Sequence, residues 1–147
     1  MKPEDANVFN DLDDKQALAI AIYGEARGES TEGKIAVGWT IVNRSKANSW
    51  FGKTIKEVIY KRNQFSCLNS NDPNYERLKK IALNFNKSLS DKALASCYTI
   101  AKGILNGVIE SNVGNATHYH TTKIKPFWAD KCTFIAKIDN HKFYREA

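Results

Sequence analysis

The feature that most constrains this chain is an apolar segment carrying Ala17, Leu18, Ile20, Ala21 and Ile22 that runs directly into Tyr23-Gly24-Glu25-Ala26-Arg27-Gly28-Glu29. A segment apolar on most sides predicts a central, buried helix rather than a surface one. It should begin at Asp13 or Asp14, whose side chain can cap the free amides of the first turn. If it stays helical to its end, the i,i+4 spacing of Glu25 and Glu29 puts both carboxylates on one face. Gly24 and Gly28 would let another backbone or a ligand come close. A carboxyl at the end of a buried helix loses solvation and its pKa rises, which suits a general acid working near neutrality. Glu25 fits this better than Glu29, because it directly follows the most apolar part. The competing reading is that both glutamates are solvated, or paired with Arg27 or Arg44.

Downstream, Ser30 or Thr31 should cap a second helix whose Ile35, Ala36, Trp39 and Val42 follow the 3, 4, 7 spacing, ending near Asn43-Arg44. Thr54-Ile55-Lys56-Glu57 has the form of a capping box and opens a short helix through Tyr60. Asp72-Pro73 reads as an N-cap followed by proline at the first helical position, with Tyr75, Leu78, Ile81, Ala82 and Phe85 on one face. Ser90 or Asp91 starts a helix with Leu94, Cys97, Tyr98, Ala101, Ile104 and Leu105, stopped by Asn106-Gly107. After that the pattern changes. Residues 116–121 and 133–138 read as short strands, with Asp139-Asn140 as a tight turn before His141-Lys142-Phe143-Tyr144. The fold class is α+β and mainly α, with a small C-terminal antiparallel β-sheet. Residues 1–12 are polar and aperiodic and read as an N-terminal arm; residues 13–147 read as a single domain.

Several function classes are excluded. No run of 18 apolar residues exists, so no stable membrane insertion is expected, and the first residues lack the apolar core of a secretory signal. The net charge of +6, from 22 basic and 16 acidic residues, suits an anionic partner or simply solubility. The lysines are scattered, without the basic run of a nucleic-acid arm, so no nucleic-acid partner is expected. Cys67, Cys97 and Cys132 lack CxxC spacing, which excludes a zinc ribbon and favours reduced thiols. A Gly-rich phosphate loop and a G-x-S-x-G elbow are both missing.

His118 and His120, two apart, would point the same way on a strand and could share an ion, with His141 as a third ligand. The alternative is that they only pack and hydrogen-bond; no metal and no cofactor is expected. Trp50, Phe51, Phe65, Tyr119, Phe127, Trp128, Phe143 and Tyr144 lie outside the helices. Trp50 and Trp128 sit in polar loops and are the better candidates for exposed, sugar-stacking rings; core positions are expected for the others.

In order along the chain, Tyr23-Gly24-Glu25-Ala26-Arg27-Gly28-Glu29, Glu32 through Trp39, Val42-Asn43-Arg44, Gln64-Phe65-Ser66, Ala116-Thr117-His118-Tyr119-His120, Pro126-Phe127-Trp128-Ala129 and His141-Lys142-Phe143-Tyr144 resemble the SleB/CwlJ-type cell-wall hydrolases. The resemblance covers about residues 14–145. It implies a lysozyme-like helical domain that cleaves the glycan strands of peptidoglycan as a lytic transglycosylase, with Glu25 as catalytic residue. It further implies that the Gln64-Phe65-Ser66 and His118-Tyr119-His120 segments line the groove. Beside that, Trp128 reads as a further groove residue, and Glu29 as a supporting or second carboxylate that holds Arg27 or a loop amide. The chain departs from the family pattern at Ser30, where proline is frequent, and at Ile138-Asp139-Asn140, where Ile-Gly is frequent. His118-Tyr119-His120 stands where spore-type members carry Tyr-Tyr-Asn-Pro, so a spore-cortex substrate is not implied. A monomeric phage-type endolysin is expected, made in the cytoplasm and acting on the wall after release. The rival expectations are a zinc amidase using His118 and His120 and a non-catalytic wall-binding module.

Overall fold

The computed structural model describes residues 1–61 and 64–146. Helix α1 (Ala6–Asn10) is followed by α2 (Asp14–Ala26), α3 (Thr31–Lys46) and α4 (Ile55–Tyr60), then α5 (Tyr75–Leu83), α6 (Phe85–Ser88) and α7 (Lys92–Leu105). Strands β1 (His118–Thr121), β2 (Cys132–Ile138) and β3 (His141–Glu146) close the chain. They form one antiparallel sheet of order β1-β3-β2, so the mainly helical α+β expectation holds.

Helix α2 is the hub, as its apolar stretch requires. Residues 17–22 are fully buried, and the helix packs against α7, α3 and α4. Its start carries a complete capping box: the Asp13 carboxylate accepts from Gln16 N at 2.8 Å and the Gln16 side chain accepts from Asp13 N at 3.0 Å. Asp13→Ala is expected to cost about 1 kcal/mol, read as a lower midpoint in urea unfolding.

Local chemistry corrects several expectations. Residues 1–12 are not a loose arm. Pro3–Asp5 form a 3-10 turn, α1 follows, and Phe9 and Leu12 belong to the core. The buried Asp5 accepts from the Tyr75 hydroxyl at 2.5 Å and lies 3.0 Å from Lys79 Nζ, tying this segment to α5. The box at Thr54 is half formed: Thr54 Oγ1 accepts from Glu57 N, but the Glu57 carboxylate accepts from Lys53 N. Asp72 accepts from Asn74 N instead of capping the helix directly, and α5 starts at Tyr75. The single helix expected through Phe85 breaks at Asn84, whose backbone (φ −141°, ψ 58°) is not helical. Phe85 then packs edge-on against Tyr98 of α7.

The C-terminal hairpin turns at Asp139-Asn140, with Asp139 in the left-handed region (φ 51°), which aspartate tolerates better than most residues. A bulge lies between Phe134 and Ala136. Phe51, Phe65, Phe143 and Tyr144 are buried as expected, and Trp50 is 54% exposed. Two rings depart from expectation. Phe127 is 84% exposed, while Trp128 is half-buried against His118, His120 and Tyr144.

Candidate active site

Glu25 sits in the last turn of α2, where a cleft of about 450 Å³ opens between the helices and the sheet. Gly24, Ser66, Tyr119, His120, Thr121, Ile124, Pro126, Trp128 and His141 share that cleft, and Glu25 is the only carboxylate among the described residues lining it.

The opposite wall is β1. Strand alternation sends Tyr119 toward the helices and His118 and His120 toward the other face of the sheet, and since β1 is an edge strand His120 still borders the cleft beside Trp128. The Tyr119 hydroxyl donates to Glu25 Oε1 at 2.5 Å. Its ring packs on Phe143 and edge-on against His141. Burial pushes the Glu25 carboxyl above its ordinary range; the Tyr119 hydroxyl, the Cys67 thiol and the charges of His141 and Arg44 oppose that rise. Burial also raises the Tyr119 hydroxyl well above its ordinary value, so it stays a donor.

The Cys67 thiol reaches Glu25 because residue 24 is glycine. A Cβ there would lie 2.6 Å from Cys67 Sγ and 3.2 Å from Leu78 Cδ1. Gly24→Ala is therefore expected to cost about 1–3 kcal/mol by overpacking, seen as a lower melting temperature. Gly28 meets nothing within 4 Å of a built Cβ, so the close approach expected there is not used.

Arg44, expected only as a pairing partner, lies 92% out of solvent under the site. Its Nε donates to the Thr117 carbonyl at 2.6 Å, and its guanidinium lies over the rings of Phe51 and Phe65, 5.2 and 5.4 Å from their centroids. Its Nη1 has no partner among the described residues. This cation helps to depress the His118 pKa, second to burial.

The frame around Glu29 differs from expectation. Helix α2 ends at Ala26, so Glu29 lies beyond it and the shared helical face does not form. Arg27 does not pair with Glu29: it donates to Asn74 Oδ1 at 2.8 Å and lies over the Tyr23 ring. Glu29 instead takes a side-chain amide of the β2–β3 turn, accepting from Asn140 Nδ2 at 3.4 Å. His141 Nδ1 lies 3.0 Å from Glu29 Oε1, a close contact that does not meet hydrogen-bond geometry.

The two departures from the family pattern prove to be one contact. Asp139 Oδ2 accepts from Ser30 N at 2.9 Å and from Ser30 Oγ at 2.5 Å. The hairpin it anchors carries His141 into the cleft.

The three histidines do not converge. His118 and His120 share the outer face of the sheet, whereas His141, paired in register with Thr121, faces the helices with Tyr119. His120 Nδ1 donates to the Thr121 carbonyl at 2.7 Å and its Nε2 meets the Tyr144 hydroxyl at 2.9 Å. His118 Nδ1 meets Thr117 Oγ1 at 2.9 Å. The ligand set on which a three-histidine zinc site would depend is thus not assembled, and no cluster of three or more metal-ligating side chains occurs among the described residues. Of the other expected groove residues, Ser66, Tyr119, His120 and Trp128 line the cleft, Phe65 is buried beneath Arg44, and Gln64 lies outside the lining. Cys67, Cys97 and Cys132 are free thiols.

A buried helix thus ends in a cleft-floor carboxyl faced by a small sheet. The chain belongs to the cell wall hydrolase family, whose model matches residues 28–144, starting just after Glu25. It resembles the catalytic domain of the germination-specific lytic transglycosylase SleB from Bacillus anthracis, with TM-score 0.64 and 24% identity over 92% of this chain and 98% of that one. The catalytic domain of the Bacillus cereus SleB protein is similar, with TM-score 0.63 and 25% identity over 90% and 89% of the two chains. A spore cortex-lytic enzyme from Oceanobacillus iheyensis is 42% identical over 55 residues, 37% of this chain and 20% of the relative. The chain thus matches about a fifth of that relative's length. No helix among the described residues is long and apolar enough to cross a membrane.

Proposed function

We propose that this protein cleaves the bond between N-acetylmuramic acid and N-acetylglucosamine in peptidoglycan, as a lytic transglycosylase, with Glu25 as its acid and base. The observation that carries the reading is a carboxyl at the cleft floor whose pKa is raised by burial and which is held by a hydroxyl from the opposite wall. Protonated Glu25 gives its proton to the glycosidic oxygen as the C1–O bond breaks through an oxocarbenium-like transition state. The resulting carboxylate then takes the proton of the C6 hydroxyl while that oxygen bonds to C1, closing a 1,6-anhydro ring. Tyr119 donates to the carboxylate and fixes its direction between the two steps.

This scheme needs one carboxylate, whereas hydrolytic glycosidases use two. Glu29 is engaged with His141 and Asn140, which favours a supporting role for it. The half-buried Trp128 offers an apolar edge of the cleft for a sugar ring, and the net charge of +6 suits an anionic wall acting as substrate.

Release of soluble fragments from purified sacculi tests the reading. The wild type should release them and Glu25→Gln should not. Release that survives Glu25→Gln and is lost on chelation would replace it with a zinc amidase. Tight binding without release by the wild type would replace it with a wall-binding module.

A further inference from the structure

The β2–β3 turn touches the helical part of the protein through a small set of polar contacts, two of which converge on one oxygen. Asp139 Oδ2 accepts from both the backbone N and the Oγ of Ser30. Ser30 Oγ in turn accepts from Gly33 N at 3.2 Å, so the same hydroxyl caps the 16-residue α3. A Cβ on residue 33 would lie 2.5 Å from Asp139 Oδ2, so glycine there leaves the space that the carboxylate fills. The carboxylate also lies at the positive end of the α3 dipole. Immediately after it, Asn140 reaches Glu29, and His141 enters the cleft beside the same glutamate.

We propose that Asp139 is a positioning residue, pinning the β2–β3 turn to the start of α3 and so holding His141 in place as part of the cleft wall that faces Glu25. The functional half of this inference rests on the glycan-cleaving reading above. Asp139 touches neither Glu25 nor the cleft; it acts through the hairpin. Because a single oxygen accepts both hydrogen bonds, an amide oxygen can replace it. Glycine can replace the turn conformation (φ 51°) but not the acceptor.

Those two substitutions separate the roles. Asp139→Gly should lower kcat roughly 10- to 100-fold with KM nearly unchanged, as expected when a wall group is misplaced by a fraction of an ångström. Its melting temperature should stay within about 4 °C of the wild type, since relief at a left-handed residue offsets the lost hydrogen bonds. Asp139→Asn should restore kcat to within about 3-fold of wild type, because it keeps the acceptor and tolerates the same φ. Side-chain 15N and 13C resonances of His141 provide a readout that needs no activity: they should move in Asp139→Gly and return in Asp139→Asn. Wild-type kcat in Asp139→Gly, equal impairment in both variants, or His141 resonances unchanged in Asp139→Gly would each overturn the proposal. A wild type that releases no fragments from sacculi would instead overturn the glycan-cleaving reading, while the His141 resonances would still decide whether Asp139 holds the wall.

Discussion

Glu25→Gln is expected to lower fragment release from sacculi by about 10²- to 10⁴-fold, the usual worth of a positioned acid and base. The same substitution should stabilise the fold near neutral pH. Burial puts the folded-state pKa of Glu25 above its unfolded value of 4.5. Below that value the carboxyl is neutral in both states, and the wild type and the glutamine variant should melt alike. As pH rises from that value up through the folded pKa, the wild type alone loses stability, because the unfolded chain gives up a proton that the buried carboxyl still holds. The melting-temperature gap should therefore open with rising pH, by on the order of 4 °C for each kcal/mol. Activity lost without such a gap would mean that Glu25 is not a desolvated acid.

The second large effect is structural. Arg44→Ala should cost about 2–5 kcal/mol, since it removes the donor to the Thr117 carbonyl and leaves a void between Phe51 and Phe65. Arg44→Lys should recover little of this, because an ammonium cannot lie flat on two rings while one nitrogen reaches Thr117. Urea unfolding of the two variants measures both statements. The loss of cationic charge should also raise the Glu25 pKa further, because Arg44 favours the ionised form.

Much of the fold was legible in the sequence because its signals are local. The apolar segment from Ala17 to Ile22 admits only a buried helix, and Asp13, Ser30, Thr54 and Asp91 cap the helices they precede. The alternation in residues 116–121 and 133–138 anticipated two strands of the sheet and, with them, His118 and His120 on a common face. What local patterns could not carry is who meets whom across the fold. The proximity of Glu29 and Arg27 in sequence suggested a pair, yet the helix ends at Ala26, before both, and each finds a partner more than 45 residues away. Polar composition made residues 1–12 look loose, although one phenylalanine, Phe9, fully buried, together with Leu12, fixes them to the core. Arg44 was visible only as a cation at a helix end; the Thr117 carbonyl that holds it lies 73 residues on. The Ser30–Asp139 contact spans 109 residues, and the local readings of a helix cap at Ser30 and a turn at Asp139 do not link the two.

The most direct test of the central claim is mass spectrometry of the muropeptides that the wild-type protein releases from purified sacculi. A single acid–base carboxylate at Glu25 predicts disaccharide products ending in 1,6-anhydro-N-acetylmuramic acid. Products with only reducing ends, or free stem peptides from an intact glycan, would contradict it.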